Sequence, residues 1–332
     1  MKRSIFAAAL TLALGVSQAW AQPTDILNVS YDVSRELFEA VNAKFIPSYK
    51  ASAGVDVTVN QSHAGSSKQA GLVLEGLAAD VVTFNQVTDI ETLAGKQFVA
   101  TDWQSKYPNS ASPFYSLPAF LVREGNPKGI VSWADLAKDG VGIVIPNPKT
   151  SGNGRYTYLA ARAWAQEEFA GDEAKIEDYL KKVFANVKVF DTGGRQATTT
   201  FVENKIGDVL ITFETEVLGT VKAVGDDQYD AVTPPVSLLA EFPVAVVDKV
   251  VDERGTRPIA EAYLNYLYTP EGQDIIGSFY NRVNDAAAVE KYKAQFPEVR
   301  LIKVEDAFGG WAKVKAEHFA EGGLLDKVLP NL

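Results

Sequence analysis

Four segments hold the residues whose types and spacing could do chemistry. In Ile145–Ala163 a strand-like run breaks at Pro146 and Pro148, passes through Thr150-Ser151-Gly152-Asn153-Gly154, and resumes with helical spacing near Arg155. His63-Ala64-Gly65-Ser66 and Thr192-Gly193-Gly194 sit at the same kind of change. Asp32 stands as a natural N-cap between a strand-like run ending at Tyr31 and the helical run after it. The first N–H groups of a helix have no intrahelical partner, and the helix dipole places about half a positive charge there. Small residues leave those groups bare, so the chemistry on offer is anion binding by backbone. One such junction is only a capped turn, which every strand-to-helix connection needs. Four in one chain, three of them with glycine beside serine or threonine, point to donors converging on one small dianion.

Catalytic arrangements fail by comparison. Asp191-Thr192-Gly193 matches the aspartic-protease triplet, but it occurs once, and that chemistry needs two carboxylates sharing a proton. His63 and His318 are the only histidines, which leaves a histidine-based metal site or triad without material. His63 reads as a turn hydrogen-bonder. Asn28-Val29-Ser30 is a glycosylation sequon on paper, inside a run that reads as a buried strand. Tyr156, Tyr158, Trp164, Tyr263, Tyr266 and Tyr268 recur at helical spacing, as core aromatics do. Neither a Walker loop nor GxGxxG is present.

The elements that must position the junctions follow from periodicity. Strand-like runs at 26–31, 55–62, 79–85, 119–125, 141–146, 187–191 and 208–214 alternate with helical patterns, among them 33–46 and 67–78. This alternation predicts an α/β fold with mainly parallel strands. Ligands of such sheets sit at the carboxyl ends of the strands, where the four junctions lie. SPFYSLPAFLV and SLLAEFPVAVV each carry a mid-run proline and little helix before them, and read as crossovers between two lobes. The expected division is 22–110 with 245–332 as a discontinuous lobe I, and 111–244 as lobe II.

Residues 1–21 read as a secretory signal peptide: Lys2 and Arg3, an apolar core from Ile5 to Val16, and Ala19-Trp20-Ala21 as the cleavage site. Cleavage after Ala21 would deliver the protein to a periplasm. Removing the two positive charges of that segment takes the net charge from −10 to −12. Bulk electrostatics then disfavour nucleic acid and anionic lipid, and any anion must be held by local dipoles against the global field. The chain has no cysteine, and its length allows a core that needs no disulfides.

NPKTSGNGRYTYLAA, SYDVSRELF, QSHAGSSKQA, FDTGGRQATTTF, GDVLITFE, LAEFPVAVVDK and FGGWAKVKAEHF together resemble the periplasmic sulfate- and thiosulfate-binding proteins of ABC importers. The resemblance spans essentially the whole mature chain. It implies a two-lobed periplasmic-binding fold of the second type, with the anion buried between lobes and handed to the transmembrane subunits of an ABC permease. It further implies a monomer with neither cofactor nor metal. Carried over by motif, the uncharged donors fall on the N–H of Asp32, on Ser66, on the Ser151 hydroxyl, on the N–H groups of Gly152 and Asn153, and on the N–H of Gly194. The remaining donor of the sulfate branch is a tryptophan indole, where this chain has Phe213. That exchange, with FDTGGRQATTTF and AEFPVAVVDK, is closer to the thiosulfate branch. Thiosulfate carries one larger, weakly accepting sulfur, and an apolar ring facing it leaves less unsatisfied than one facing an oxygen. The expected ligand is therefore thiosulfate, with sulfate second; molybdate or phosphate is the alternative within the same site, and an exported hydrolase the alternative outside it. Arg155 is expected behind the donors, orienting backbone, and Lys149 at the surface. The Asp32 carboxylate should turn from the dianion and cap its own helix.

Overall fold

A computed structural model describes residues 24–225 and 227–329, so the signal-peptide segment lies outside the described residues. Two main sheets form the two lobes. In the first, the order is Val244–Val246, Val81–Thr83, Asp25–Tyr31, Thr58–Ala64; the last three strands are parallel, and Val244–Val246 joins the edge antiparallel. In the second, the order is Val187–Asp191, Ile143–Pro146, Val209–Phe213, Pro118–Arg123, Tyr229–Val232. There the first three strands are parallel, and Pro118–Arg123 runs antiparallel to both its neighbours.

The two main sheets are mainly parallel, as expected, with antiparallel exceptions. The antiparallel members include the two runs after the crossovers, Pro118–Arg123 and Val244–Val246, each of which enters its sheet directly from the other lobe. A strand arriving without a preceding helix has no connection that would turn it parallel. The crossovers themselves meet: Phe114–Ser116 pairs antiparallel with Ala240–Phe242 and, on its other side, with Arg282–Val283. Three passes of the chain therefore lie side by side between the lobes.

Helices cover both sheets, and their apolar faces form the core. The helix Arg35–Ala53 buries Leu37, Phe38, Val41 and Phe45 and ends on Gly54, whose φ of +72° is the left-handed cap that glycine accepts without strain. It runs past Pro47, where the sequence suggested an end, because Tyr49 beyond the proline still packs on the core. Near the end of the described chain, Arg300–Ile302 pairs with Val236–Leu238, and Trp311 packs edge-on against Tyr156 at 5.5 Å. Tyr156, Tyr158 and Tyr263 are fully buried, as their spacing implied.

Candidate functional site

The four junctions come together. Each begins at the carboxyl end of a strand, and these ends face one another across the gap between the sheets. A Cβ on Gly65 would lie 2.9 Å from the Thr150 carbonyl oxygen and 3.2 Å from that of Thr192. One on Gly152 would lie 2.3 Å from Asn85 Oδ1 and 2.8 Å from Gln86 Cβ. One on Gly193 would meet Asp32 Oδ2 at 2.3 Å, and one on Gly194 would meet Asn153 Nδ2 and Val33 Cγ1, both at 2.9 Å. The glycines are needed because backbone from one lobe abuts the other here, and a side chain would hold the lobes apart.

Four helices begin at this place: Arg35–Ala53 after a single 3-10 turn at Asp32–Ser34, Ser66–Leu74, Gly152–Glu168 and Gly194–Val202. Ser151 occupies the N-cap of Gly152–Glu168, is buried, and makes no capping hydrogen bond with its side chain. Ser66 is fully buried as well, but its hydroxyl donates to Asp89 Oδ2 at 2.5 Å. What Ser66 offers the gap is therefore the backbone N–H of a helix's first residue. Asn153 is anchored by its amide, which donates to Thr212 Oγ1 at 2.8 Å. Phe213, next along that strand, is fully buried and packs on Phe242 at 4.9 Å and Tyr156 at 5.9 Å.

The Asp32 carboxylate differs from expectation in what it caps. Oδ1 accepts from the adjacent Val33 N–H at 3.1 Å, and Oδ2 accepts from the Arg195 N–H at 3.0 Å across the gap. Its own helix receives no side-chain cap. The first turn of the facing helix Gly194–Val202 does, through the N–H of its second residue, Arg195. Burial raises the Asp32 carboxyl above the usual range, against the pull of these N–H groups and the Arg195 charge.

Arg155, Arg195 and Lys149 are each answered by a carboxylate, whereas Arg35 and Lys68, in the first turns of two of the helices, are exposed and make no ion pair among the described residues. Arg155 Nη1 meets Asp89 Oδ1 at 3.2 Å and Arg155 Nε donates to the Pro148 carbonyl at 3.3 Å, so it braces the Pro148–Ser151 turn. Arg195 forms a two-pronged pair with Glu36, at 2.9 and 2.8 Å, and lies 3.3 Å from Glu216. Both arginines belong to the second lobe and their partners Asp89 and Glu36 to the first, so two ion pairs span the gap. Lys149 pairs with Asp326 at the surface. Burial pushes the Asp89 carboxyl up, offset by Arg155 and the Ser66 and Ser67 hydroxyls. Burial also pushes Glu216 up to about 7, opposed by Arg195 and a hydrogen bond from Thr198. The junctions are thus left with neutral donors and dipoles, which suits a full dianion without a fixed counter-charge.

Sequence reasoning missed two groups of residues here. Glu36, Asp89 and Arg195 gave no local signal, because their partners lie 66 to 159 positions away in the chain. Asn85 and Gln86 belong to a fifth strand-to-helix junction, between Val81–Thr83 and Val87–Ala94, which lacks the glycine and serine that marked the others. Asn85 Oδ1, both polar atoms of the Gln86 side chain and Asn153 Oδ1 are buried without a hydrogen-bond partner among the described residues. The discarded motifs are structural: His63 Nδ1 lies 3.1 Å from the Tyr31 carbonyl and Nε2 2.7 Å from Gln61 Oε1, in a strand rather than a turn. Asn28 is wholly buried in the first strand.

The fold and this arrangement are those of a two-lobed receptor for a small solute. Residues 32–279 match the family of bacterial extracellular solute-binding proteins, and the chain belongs to that family. It is 53% identical over 310 residues to the thiosulfate-binding protein of Escherichia coli K12, covering 93% of this chain and 92% of that one. It is 45% identical over 319 residues to the sulfate-binding protein of the same organism, covering 96% and 97%. Among solved structures, the sulfate-binding protein SubI of Mycobacterium tuberculosis superposes with a TM-score of 0.79 at 32% identity, over 88% of this chain and 98% of that one. At 16% identity and a TM-score of 0.61, an extracellular solute-binding protein from Bordetella parapertussis shares the fold alone.

Proposed function

We propose that this protein captures thiosulfate, with sulfate as its second ligand, and delivers the anion to the transmembrane subunits of an ABC permease. The observation that carries the reading is the convergence of four helix N-termini on one place where the two arginines that reach across the gap, Arg155 and Arg195, are already paired with carboxylates. A tetrahedral dianion would be held there by the N–H groups of Asp32, Ser66, Gly152, Asn153 and Gly194 and by the Ser151 hydroxyl. Phe213 stands where the sulfate branch has an indole, and it favours the anion with one non-oxygen atom. Phosphate suits the site less. A monoprotonated phosphate is best served by a carboxylate that accepts its proton, and both Asp32 oxygens already accept from backbone N–H groups, so only neutral amide oxygens such as Asn85 Oδ1 are left there among the described residues.

The lobes proposed are 22–110 with 245–332, and 111–244, closing by rotation about the three-stranded connection. Binding energy here drives closure rather than chemistry, so the protein acts as a carrier and not as an enzyme. Residues 1–21 would direct it to the periplasm as a monomer cleaved after Ala21; mass spectrometry of the exported protein checks that cleavage. Calorimetry with thiosulfate, sulfate, molybdate and phosphate tests the function. Binding of neither sulfur oxyanion refutes it.

A further inference from the structure

We propose that the Gln86 carboxamide is an additional contact to the bound anion, supplied from the first lobe opposite the Gly152 donor bank and helping set which oxyanion is held. The inference rests on the anion-receptor reading above and deepens it. Gln86 is fully buried, and neither its Nε2 nor its Oε1 has a partner among the described residues. Each unsatisfied group of an amide buried this way is destabilising, so native proteins seldom leave both ends bare. Its position is that of a donor, not of a packing residue. Gln86 is the N-cap of Val87–Ala94, with φ −149° and ψ 119°, yet its side chain makes no cap hydrogen bond.

The neighbours fix where that amide is. A Cβ on Gly152 would sit 2.8 Å from Gln86 Cβ, which puts the Gln86 side chain at the first N–H of the helix Gly152–Glu168. Asn85, 1% exposed, places its unpartnered Oδ1 against the same glycine. These uncharged polar atoms stand at one helix start with no hydrogen-bond partner among the described residues. A dianion seated on the Gly152 and Asn153 N–H groups would satisfy the amino end of Gln86, which can turn towards it whichever way the amide is oriented. An N–H aimed at a charged acceptor is stronger than one between neutral groups. The first lobe then contributes a side-chain donor as well as the N–H groups of Asp32 and Ser66. With Phe213 unable to donate, Gln86 takes over the side-chain hydrogen bond that an indole would provide from the other lobe.

The test compares Gln86→Leu, Gln86→Glu and the unaltered protein by calorimetry with thiosulfate and with sulfate, alongside the melting temperature of each without ligand. Gln86→Leu keeps the approximate volume and removes the donor; thiosulfate affinity is expected to fall by about tenfold or more, as for a hydrogen bond to a charged group. Gln86→Glu keeps the shape and turns a donor towards the anion into a repelling charge, so it should lose more than Gln86→Leu at pH 8 and recover part of the loss at pH 5. A merely structural glutamine would give losses that follow the ligand-free melting temperatures and show no such pH recovery. Affinity within twofold of the unaltered protein in Gln86→Leu overturns the proposal. Failure of the unaltered protein to bind either anion instead overturns the receptor reading beneath it.

Discussion

Adding one methyl group at Gly152 is expected to weaken anion binding while leaving the separate lobes intact. In the closed arrangement that methyl carbon would stand 2.3 Å from Asn85 Oδ1 and 2.8 Å from Gln86 Cβ. Both distances fall well short of the ~3.5–4.0 Å of a relaxed contact. Asn85 can swing its amide aside, but Gln86 Cβ is fixed to backbone and cannot. Relieving that contact takes a movement of roughly 1 Å between the lobes, and overpacking of this size costs about 1–3 kcal/mol. The cost applies only when the lobes are shut, so it appears as a loss of affinity of roughly 5- to 150-fold. Within its own lobe the position is the first of a helix, where alanine is at least as good as glycine and constrains the unfolded chain. The ligand-free melting temperature of Gly152→Ala should therefore equal or exceed that of the unaltered protein, while thiosulfate affinity by calorimetry falls. Gly154→Ala is the contrast: its methyl would stand 2.3 Å from the Pro146 carbonyl and 2.7 Å from Pro148 N, in the same lobe. That variant should melt lower even without ligand. Undiminished affinity in Gly152→Ala, or equal ligand-free destabilisation of both variants, refutes the assignment of Gly152 to the closing surface.

Other outcomes follow from the same geometry. Phe213→Trp should raise sulfate affinity relative to thiosulfate; a flat or falling ratio in competition calorimetry removes Phe213 from the site. Glu36→Gln breaks a pair whose side chains are 47% and 44% exposed, so the loss should be within ~1 kcal/mol and shrink as salt is raised. Asp89→Asn, 6% exposed and partnered by Arg155, Ser66 and Ser67, should lose more affinity and respond less to salt, as stopped-flow release rates at low and high salt would show. Glu216, with its carboxyl pushed up by burial to about 7 from an ordinary 4.5, holds its proton more tightly folded than unfolded. Its contribution is fully present below pH 4.5 and is lost as pH rises to 7, about 3 kcal/mol over that span. Glu216→Gln should remove that slope, gaining stability relative to the parent between pH 5 and 8 in urea titrations; parallel pH profiles would contradict it. A hundredfold excess of thiosulfate over its dissociation constant should add about 2.7 kcal/mol of stability, which a thermal shift would register.

Most of the strands and the four glycine or capping junctions were legible because they are local: hydrophobic period, punctuation by proline and glycine, and caps occupy a few adjacent residues. The two crossovers were legible for the same reason, through a proline within an apolar run. The direction of Pro118–Arg123 and Val244–Val246 was not, because parallel or antiparallel depends on which lobe the chain has just left. At the site, Ser151 and Gly152 announced themselves by type. Gln86 did not, since a glutamine before a helix is ordinary until both ends of its amide are found buried and bare. Asp32 was assigned to its own helix on sequence distance, whereas lobe contact gives the Arg195 N–H first claim. The errors share one cause: contact between lobes is invisible to any rule that looks a few residues along the chain.

The ribbon formed by Phe114–Ser116, Ala240–Phe242 and Arg282–Val283 also limits how the molecule can move. One strand between two bodies is a tether and permits swivelling in every direction. Three strands hydrogen-bonded edge to edge resist sliding past one another and resist splaying, yet they bend readily out of their own plane. Such a ribbon is a flexure with a single soft axis. The two halves then return along one arc to one registration, and backbone donors carried on separate bodies meet to within hydrogen-bonding tolerance each time the cleft shuts.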